Sequence, residues 1–414
     1  MVNDVTGFFT IKIRKILSLI LSVITLGLIA IGCGGPAYQG WSGFAGDEGI
    51  LYFGSMDGRV LAINTSARSQ GLPFPSEGEW VLPVRAPAAS GGMCGPLGCM
   101  PTAQPTTVYG TPVVAGNLVY VATYAGDNGK VMAINRLAPG YDEQGIPAWN
   151  EGEWFYPRSE SKFIGSVVGG PIVFEDTLYV GSSDGKLYAL DEKGNERWTP
   201  FDTGGKIWTS PAIKDNVVYV SNYERRLFAL SSVDGKPVWP SPVELLTAVA
   251  SSPVVYENTI FFGTFDHNLC ALNSEDGSEK WRFKGGNWFW SIPVVKDGVV
   301  YAGCLDNKIY ALSASTGEEL WQFTADGPIV STPVLVDNIL VVASESGMVY
   351  ILKADSGKPE HDPVPVDTSV IVPVKAPLYA EGKMVYVHAS NRCVYCVDVQ
   401  SGEKVWDFCY SEIK

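Results

Sequence analysis

The stretch Ala271-Leu272-Asn273-Ser274-Glu275-Asp276-Gly277-Ser278-Glu279-Lys280-Trp281-Arg282-Phe283 returns forty residues later as Ala311-Leu312-Ser313-Ala314-Ser315-Thr316-Gly317-Glu318-Glu319-Leu320-Trp321-Gln322-Phe323. Both copies run an apolar strand into a polar turn, place a Gly in that turn and put a Trp four residues beyond it. The same spacing gives Gly194/Trp198, Gly235/Trp239 and Gly402/Trp406, with Gly357/His361 as the one substituted copy. From Gly165 onward the pattern is written six times at a period of about 40 residues, which implies one supersecondary unit per repeat.

Each unit has the same parts. A Pro-led apolar strand such as Ser252-Pro253-Val254-Val255 precedes a tight turn and a second strand such as Ile260-Phe261-Phe262-Gly263. A third follows at Leu269-Cys270-Ala271-Leu272 and a fourth at Lys280-Trp281-Arg282-Phe283. The first turns carry Asp215-Asn216, Glu257-Asn258, Asp297-Gly298 and Asp337-Asn338, residues that tolerate the positive φ of a two-residue hairpin. With 45 Gly, 27 Pro and only 18% charged residues, the composition suits short strands and turns, and little helix is expected beyond the N-terminal segment.

Two longer units precede these six. Gly71-Leu72-Pro73 leading to Glu77-Gly78-Glu79-Trp80 parallels Gly145-Ile146-Pro147 leading to Glu151-Gly152-Glu153-Trp154. Unit one begins near Gly40 and unit two near Tyr109, bringing the count to eight. Residues 85–108 are rich in Pro, Gly and small residues without period, and this insertion loop accounts for the 74-residue gap from Trp80 to Trp154. An isolated four-stranded sheet exposes two apolar faces, whereas a radial arrangement buries those faces against each other and leaves short protected edges. The expectation is an all-β, monomeric, eight-bladed propeller of four-stranded antiparallel blades over residues 40–414. Trp80, Trp154, Trp198, Trp239, Trp281, Trp321 and Trp406 are assigned to docking between blades, the flat ring bridging sheets while its N–H finds a backbone acceptor. His361 marks blade seven as the weakest dock.

The runs Ala189-Leu190-Asp191 to Gly194 and Trp198, Ala271-Leu272-Asn273 to Gly277 and Trp281, and Ala311-Leu312-Ser313 to Gly317 and Trp321 resemble the tryptophan-docking repeat of the quinoprotein (PQQ-like) propeller superfamily. The resemblance covers nearly everything after Gly40 and implies the fold more sharply than the function. Its quinoprotein dehydrogenases imply pyrroloquinoline quinone (PQQ) with calcium and an adjacent Cys-Cys pair, which this chain lacks. The layout is closest to the BamB-like outer-membrane assembly lipoproteins, which implies a lipid-anchored propeller that binds a protein partner without catalysis.

The N-terminus carries Lys12-Ile13-Arg14-Lys15, an apolar run from Ile16 to Ile31, and Gly32-Cys33-Gly34-Gly35, the layout of an export signal over residues 1–32. Ala30-Ile31-Gly32-Cys33 resembles a bacterial lipoprotein signal in which Cys33 is acylated, with Ala30 where that pattern prefers Leu, and residues 33–39 serve as a linker. An uncleaved anchor and an ordinary cleaved signal remain open as alternatives. The expected location is outside the cytoplasm, lipid-anchored on the outer side of the cytoplasmic membrane or in the outer membrane and periplasm. Formal charge is −14, or about −16 without residues 1–32, a field that repels phosphate backbones and argues against a nucleic-acid partner. Of eight Cys, Cys94 and Cys99 flank a turn-rich spacer able to close a disulfide loop. Cys270, Cys304, Cys393, Cys396 and Cys409 fall in strands and are expected as small buried apolar residues.

Catalytic chemistry is scarce. His267, His361 and His388 sit in different units without metal-pair spacing, and Cys393-Val394-Tyr395-Cys396 lacks the following His of haem attachment. Asp57, Asp184, Asp266 and Asp306 recur in hairpin turns, which explains them structurally. Segments leading into each first strand share a face with the turns between second and third strands. There, Gly205-Lys206-Ile207-Trp208 and Asn287-Trp288-Phe289-Trp290 add aromatics outside the docking series. Trp208, Trp288, Phe289 and Trp290 either fill the channel or cap a neighbour, or they anchor a partner. In the second case Tyr223, Glu224, Arg225, Arg226, Phe265 and Asp266 form the rim. The function expected is a non-enzymatic, cofactor-free scaffold for protein partners of the cell envelope. A PQQ- and calcium-dependent oxidoreductase and an adhesin or carbohydrate-binding propeller stay open.

Overall fold

Tight hairpins set the strand register. Asp215 and Asn216 take φ of 49° and 61°, and Asp297 and Gly298 take 49° and 77°, the left-handed pairs whose twist matches right-twisted strands. Each hairpin leads to the next strand of a meander, and the chain folds into eight four-stranded antiparallel sheets. The computed structural model describes residues 42–413 except 85–93, 96–97, 100–106, 127, 138–139, 142–146, 149–152 and 160–162.

Blade 1 uses Phe44–Asp47, Ile50–Gly54, Arg59–Asn64 and Trp80–Pro83, and blade 8 uses Tyr379–Glu381, Met384–Ala389, Cys393–Asp398 and Glu403–Cys409. Both are continuous in sequence, so the ring closes without either blade borrowing a strand from the other. First strands meet their neighbours around the ring and are the innermost.

Second and third strands are buried along nearly their whole length, as in Thr177–Gly181 and Lys186–Asp191, because a neighbouring blade covers each face. There is accordingly no single core. Eight apolar clusters each occupy one blade-to-blade interface, among them Tyr179, Leu187, Val218 and Val220 between blades 3 and 4. Each large aliphatic or aromatic side chain buried there contributes about 1.5–3 kcal/mol, which makes the fold a closed sum of neighbour interfaces.

Among the described residues, helix is limited to α1 (Thr65–Ser69) and a 3₁₀ turn at Tyr410–Glu412. Asn64 caps α1 by accepting from the Ser66 and Ala67 amides, and the helix enlarges the turn before Trp80. The insertion is shorter than 85–108 at its far end: Thr107 pairs with Tyr124 and Val108 is buried in the interface of blades 1 and 2, so both belong to blade 2. Within it, Cys94–Gly95 pairs antiparallel with Gly98–Cys99, Cys94 opposite Cys99, while the disulfide expected there concerns side chains outside the described residues. Residues 1–32, Cys33 and the 33–39 linker also lie outside the described residues.

The cysteine reading needs one correction. Cys393 and Cys409 are not separate buried thiols but a disulfide, because the hairpin register sets the start of the third strand opposite the end of the fourth. Cys396, three residues from Cys393, points to the opposite face and packs in the interface with blade 1.

Candidate partner-binding face

The docking tryptophans hold the blades in fixed register. Their indole Nε1 atoms donate across each interface: Trp80 to Arg136 O (3.0 Å), Trp154 to Glu192 O (2.7 Å) and Trp198 to Ser232 O (3.2 Å). Trp239 donates to Ser274 O (3.2 Å), Trp281 to Ala314 O (2.9 Å) and Trp321 to Ala354 O (3.0 Å). The glycine of the repeat belongs to the other partner. A Cβ on Gly194 would sit 2.6 Å from the Trp154 ring, on Gly235 2.7 Å from Trp198, and on Gly317 2.6 Å from Trp281. Every standard unit thus offers a glycine socket to the blade before it and a tryptophan plug to the blade after it.

A second donor escaped the sequence reading. Tyr179, Tyr219 and Tyr301 donate their hydroxyls to Ser232 O, Ser274 O and Ala354 O, the same carbonyls that the tryptophans use. The signal was present as a recurring tyrosine in the second strand. Blade 7 lacks both donors, having Val341 and His361, and the His361 ring lies 2.5 Å from where a Gly402 Cβ would be.

On this frame the lead-in segments and the second-to-third-strand turns are joined by backbone hydrogen bonds. Tyr124 N donates to Thr107 O, Tyr223 N to Lys206 O, Phe265 N to Ala248 O, Leu305 N to Trp288 O and Glu345 N to Pro328 O. One turn residue in each of blades 2 to 8 is thereby presented at an equivalent place on one face. In blades 4 to 6 these places and their lead-ins form a continuous strip. Trp208 lies 4.8 Å from Tyr223, Tyr223 6.4 Å from Phe265, and Phe265 5.2 Å from Trp288 and 5.9 Å from Trp290, centre to centre. Trp288 and Trp290 stack at 6.3 Å.

Four of these rings are open to solvent: Trp208 at 43%, Tyr223 at 48%, Trp288 at 36% and Trp290 at 42%. Phe289 does not belong with them. Alternation along an extended segment turns it inward, where it is fully buried against Phe283, Tyr310 and the backbone at Gly263 and Gly285. Glu224 and Arg225 are exposed beside the strip, and Arg226 pairs with Glu244 at 2.9 Å. Elsewhere on the face the equivalent turn places are Tyr124, which is exposed and packs on Tyr109 at 4.7 Å, Ser183, Ser390, and Glu345, the last paired with Lys375.

Reactive chemistry is suppressed by burial. It pushes the Cys270 thiol up to about 11 and those of Cys304 and Cys396 up to about 12, so they stay protonated. His388 is fully enclosed between Ser42 O (2.9 Å) and Tyr410 Oη (2.7 Å), and burial pushes its pKa down to about 4. The turn aspartates close their own hairpins: Asp184 accepts from Tyr188, Asp306 from Tyr310 and Asp266 from Thr264, each at 2.6 Å. Among the described residues no three His, Cys, Asp or Glu side chains converge as a metal-holding group. Asp184, Asp266 and Asp306 are thus engaged within their own hairpins, and the sequence holds no adjacent Cys pair.

Fold and repeat chemistry define a PQQ-like repeat β-propeller whose open face carries an aromatic strip. The chain belongs to the family described as outer membrane protein assembly factor BamB, whose profile matches residues 37–200, 200–288 and 285–408. Two proteins of that description are similar in part. One from Legionella pneumophila (strain Paris) is 34% identical over 86 residues, 18% of this chain and 22% of that protein. One from Bordetella pertussis (strain Tohama I) is 24% identical over 192 residues, 46% of this chain and 40% of that protein. The matched regions thus span less than half the length of either curated relative. The crystal structure of BamB from Moraxella catarrhalis aligns with a TM-score of 0.51 at 20% identity, covering 57% of this chain and 71% of that one. The computationally designed protein Ika8 aligns with a TM-score of 0.62 at 14% identity, covering 90% of this chain and 97% of that one. At these identities the two structures support the fold alone.

Proposed function

We propose that the protein is a non-catalytic scaffold of the cell envelope that holds a protein partner on the strip formed by Trp208, Tyr223, Phe265, Trp288 and Trp290. The observation that carries this reading is the strip itself. Five aromatic rings in mutual contact, four of them open to solvent, lie outside every blade dock. Exposed aromatics that pack on each other are held in place before a partner arrives, so little side-chain freedom is lost on binding, and Trp and Tyr dominate interface energies. Membership of a family described by outer-membrane protein assembly supports an envelope protein as the partner. Acylation of Cys33 would tether the ring to a membrane surface.

The test is recovery of cross-linked envelope proteins with the full chain, comparing wild type with Trp208→Ala and Trp288→Ala. Loss of about 2 kcal/mol per anchor predicts a drop of thirtyfold or more in affinity. Unchanged recovery by variants with unaltered thermal unfolding would remove this face from the proposal. Cys33→Ser separately tests the tether, moving the protein from the membrane to the soluble envelope fraction.

A further inference from the structure

Blade 8 is held differently from the others on both sides. Towards blade 7 it receives His361, which rests on Gly402 without the indole-to-carbonyl bond of a standard dock. Towards blade 1 it offers Trp406, which packs on its own Tyr386 at 5.9 Å and, among the described residues, makes no such bond. The place on blade 1 where a socket carbonyl would stand is the start of α1. The seam is closed instead by residues 408–413. Tyr410 is fully buried against Phe53 and His388, its hydroxyl meets His388 Nε2 at 2.7 Å, and Arg59 of blade 1 donates to Ile413 O (2.8 Å) and Tyr410 O (3.3 Å). Arg68 of α1 lies 4.8 Å over the Phe408 ring and pairs with buried Glu79 at 2.8 Å.

The contacts of Tyr410, Ile413 and Phe408 hang on residues 408–413, at and just beyond the end of an outermost strand, which has no further strand to hold it on that side. Cys409 stands immediately before Tyr410 and is bonded to Cys393 of the neighbouring strand. We propose that the Cys393–Cys409 disulfide is the lock of the ring: it holds Tyr410 in the seam, and its formation in an oxidising compartment completes closure of blade 8 on blade 1. In that step the two thiols lose two protons and two electrons. The electrons pass to the disulfide of an exported thiol oxidase, or to oxidised glutathione in vitro, which leaves as the dithiol. Cys409 is exposed, so an oxidase or a reductant reaches the pair from solvent. This inference rests neither on Cys33 nor on the scaffold reading, since it concerns only the blade 8 seam.

The test is hydrogen exchange on the folded full chain, before and after reduction, with thiol alkylation and intact mass to count free cysteines. Closing a loop between cysteines 16 residues apart restricts the open chain enough to lower its population about 100-fold. Reduction should therefore accelerate exchange about 100-fold in residues 384–413 and leave Val217–Ser221 of blade 4 unchanged. Cys409→Ser should reproduce this without reductant, and Cys396→Ala should not. If Cys409→Ser fails to accumulate, reduced wild type gives the same reading. Equal exchange before and after reduction, or acceleration spread evenly over all blades, would overturn the proposal. So would free Cys393 and Cys409 thiols in acid-quenched, alkylated cells of the host.

Discussion

Replacing Trp281 by Phe isolates the worth of one dock bond. Trp281 is the side-chain donor to Ala314 O among the described residues, because blade 5 has Phe261 where six of the other seven blades have a tyrosine. Phenylalanine keeps most of the ring but leaves a buried carbonyl without its donor, which costs about 1–3 kcal/mol. Trp321 sets the comparison. Its carbonyl, Ala354 O, also accepts from the Tyr301 hydroxyl at 3.1 Å, so Trp321→Phe leaves one bond in place and costs about 1 kcal/mol for the bond lost. Phe261 meets Trp281 at 5.7 Å and Tyr301 meets Trp321 at 5.8 Å, so a hydroxyl added at position 261 points at the vacant acceptor. Urea unfolding of Trp281→Phe, Phe261→Tyr, the double variant and Trp321→Phe completes the cycle. The expected order places Trp281→Phe lowest and returns about 1 kcal/mol on adding Phe261→Tyr. Equal losses at 281 and 321 together with no recovery in the double variant would refute the shared-carbonyl account.

Other outcomes follow from the same geometry. His388 is neutral in the fold with a pKa of about 4 against about 6.5 unfolded, so the unfolded chain binds more protons between these values. Its contribution of about 3 kcal/mol is complete above pH 6.5, declines as pH falls and is exhausted below pH 4; His388→Gln should flatten that part of the unfolding profile. His361→Trp combined with Val341→Tyr supplies blade 7 with the donors it lacks and should raise stability by about 1 kcal/mol in chemical denaturation. Gly317→Ala, at φ 74° and facing the Trp281 ring, should lower stability by more than 1 kcal/mol, whereas Gly298→Ala, with open space around it, pays only for its backbone angle.

The sequence exposed what repeats and concealed what differs once. Gly277 and Trp281 stand four residues apart in every full copy, so the blade and its docking residue were plain. That Gly277 faces Trp239 and not its own Trp281 was invisible, because plug and socket of one dock lie a whole period apart. Trp208, Trp288 and Trp290 stood out because they break the repeat, and the structure joins them through Tyr223 and Phe265. Phe289 was misplaced because only the local alternation of the chain decides which of four consecutive residues turns inward. The Cys393–Cys409 pair was recoverable in principle: the two residues are equidistant from the hairpin through which Cys396 faces Trp406. That argument needed the strand register, and CxxC spacing drew attention to Cys396 instead.

The offset between plug and socket also governs how this ring can be taken apart and rebuilt. A chain severed between blades 4 and 5, after Trp239 and before Val254–Tyr256, leaves one fragment ending in an unfilled indole and another beginning with an unfilled glycine. The two pieces are complementary at that cut without any engineering. Blades 3 to 6 share this plug and socket, whereas the seams of blades 7, 8 and 1 are closed by contacts found nowhere else among the described residues.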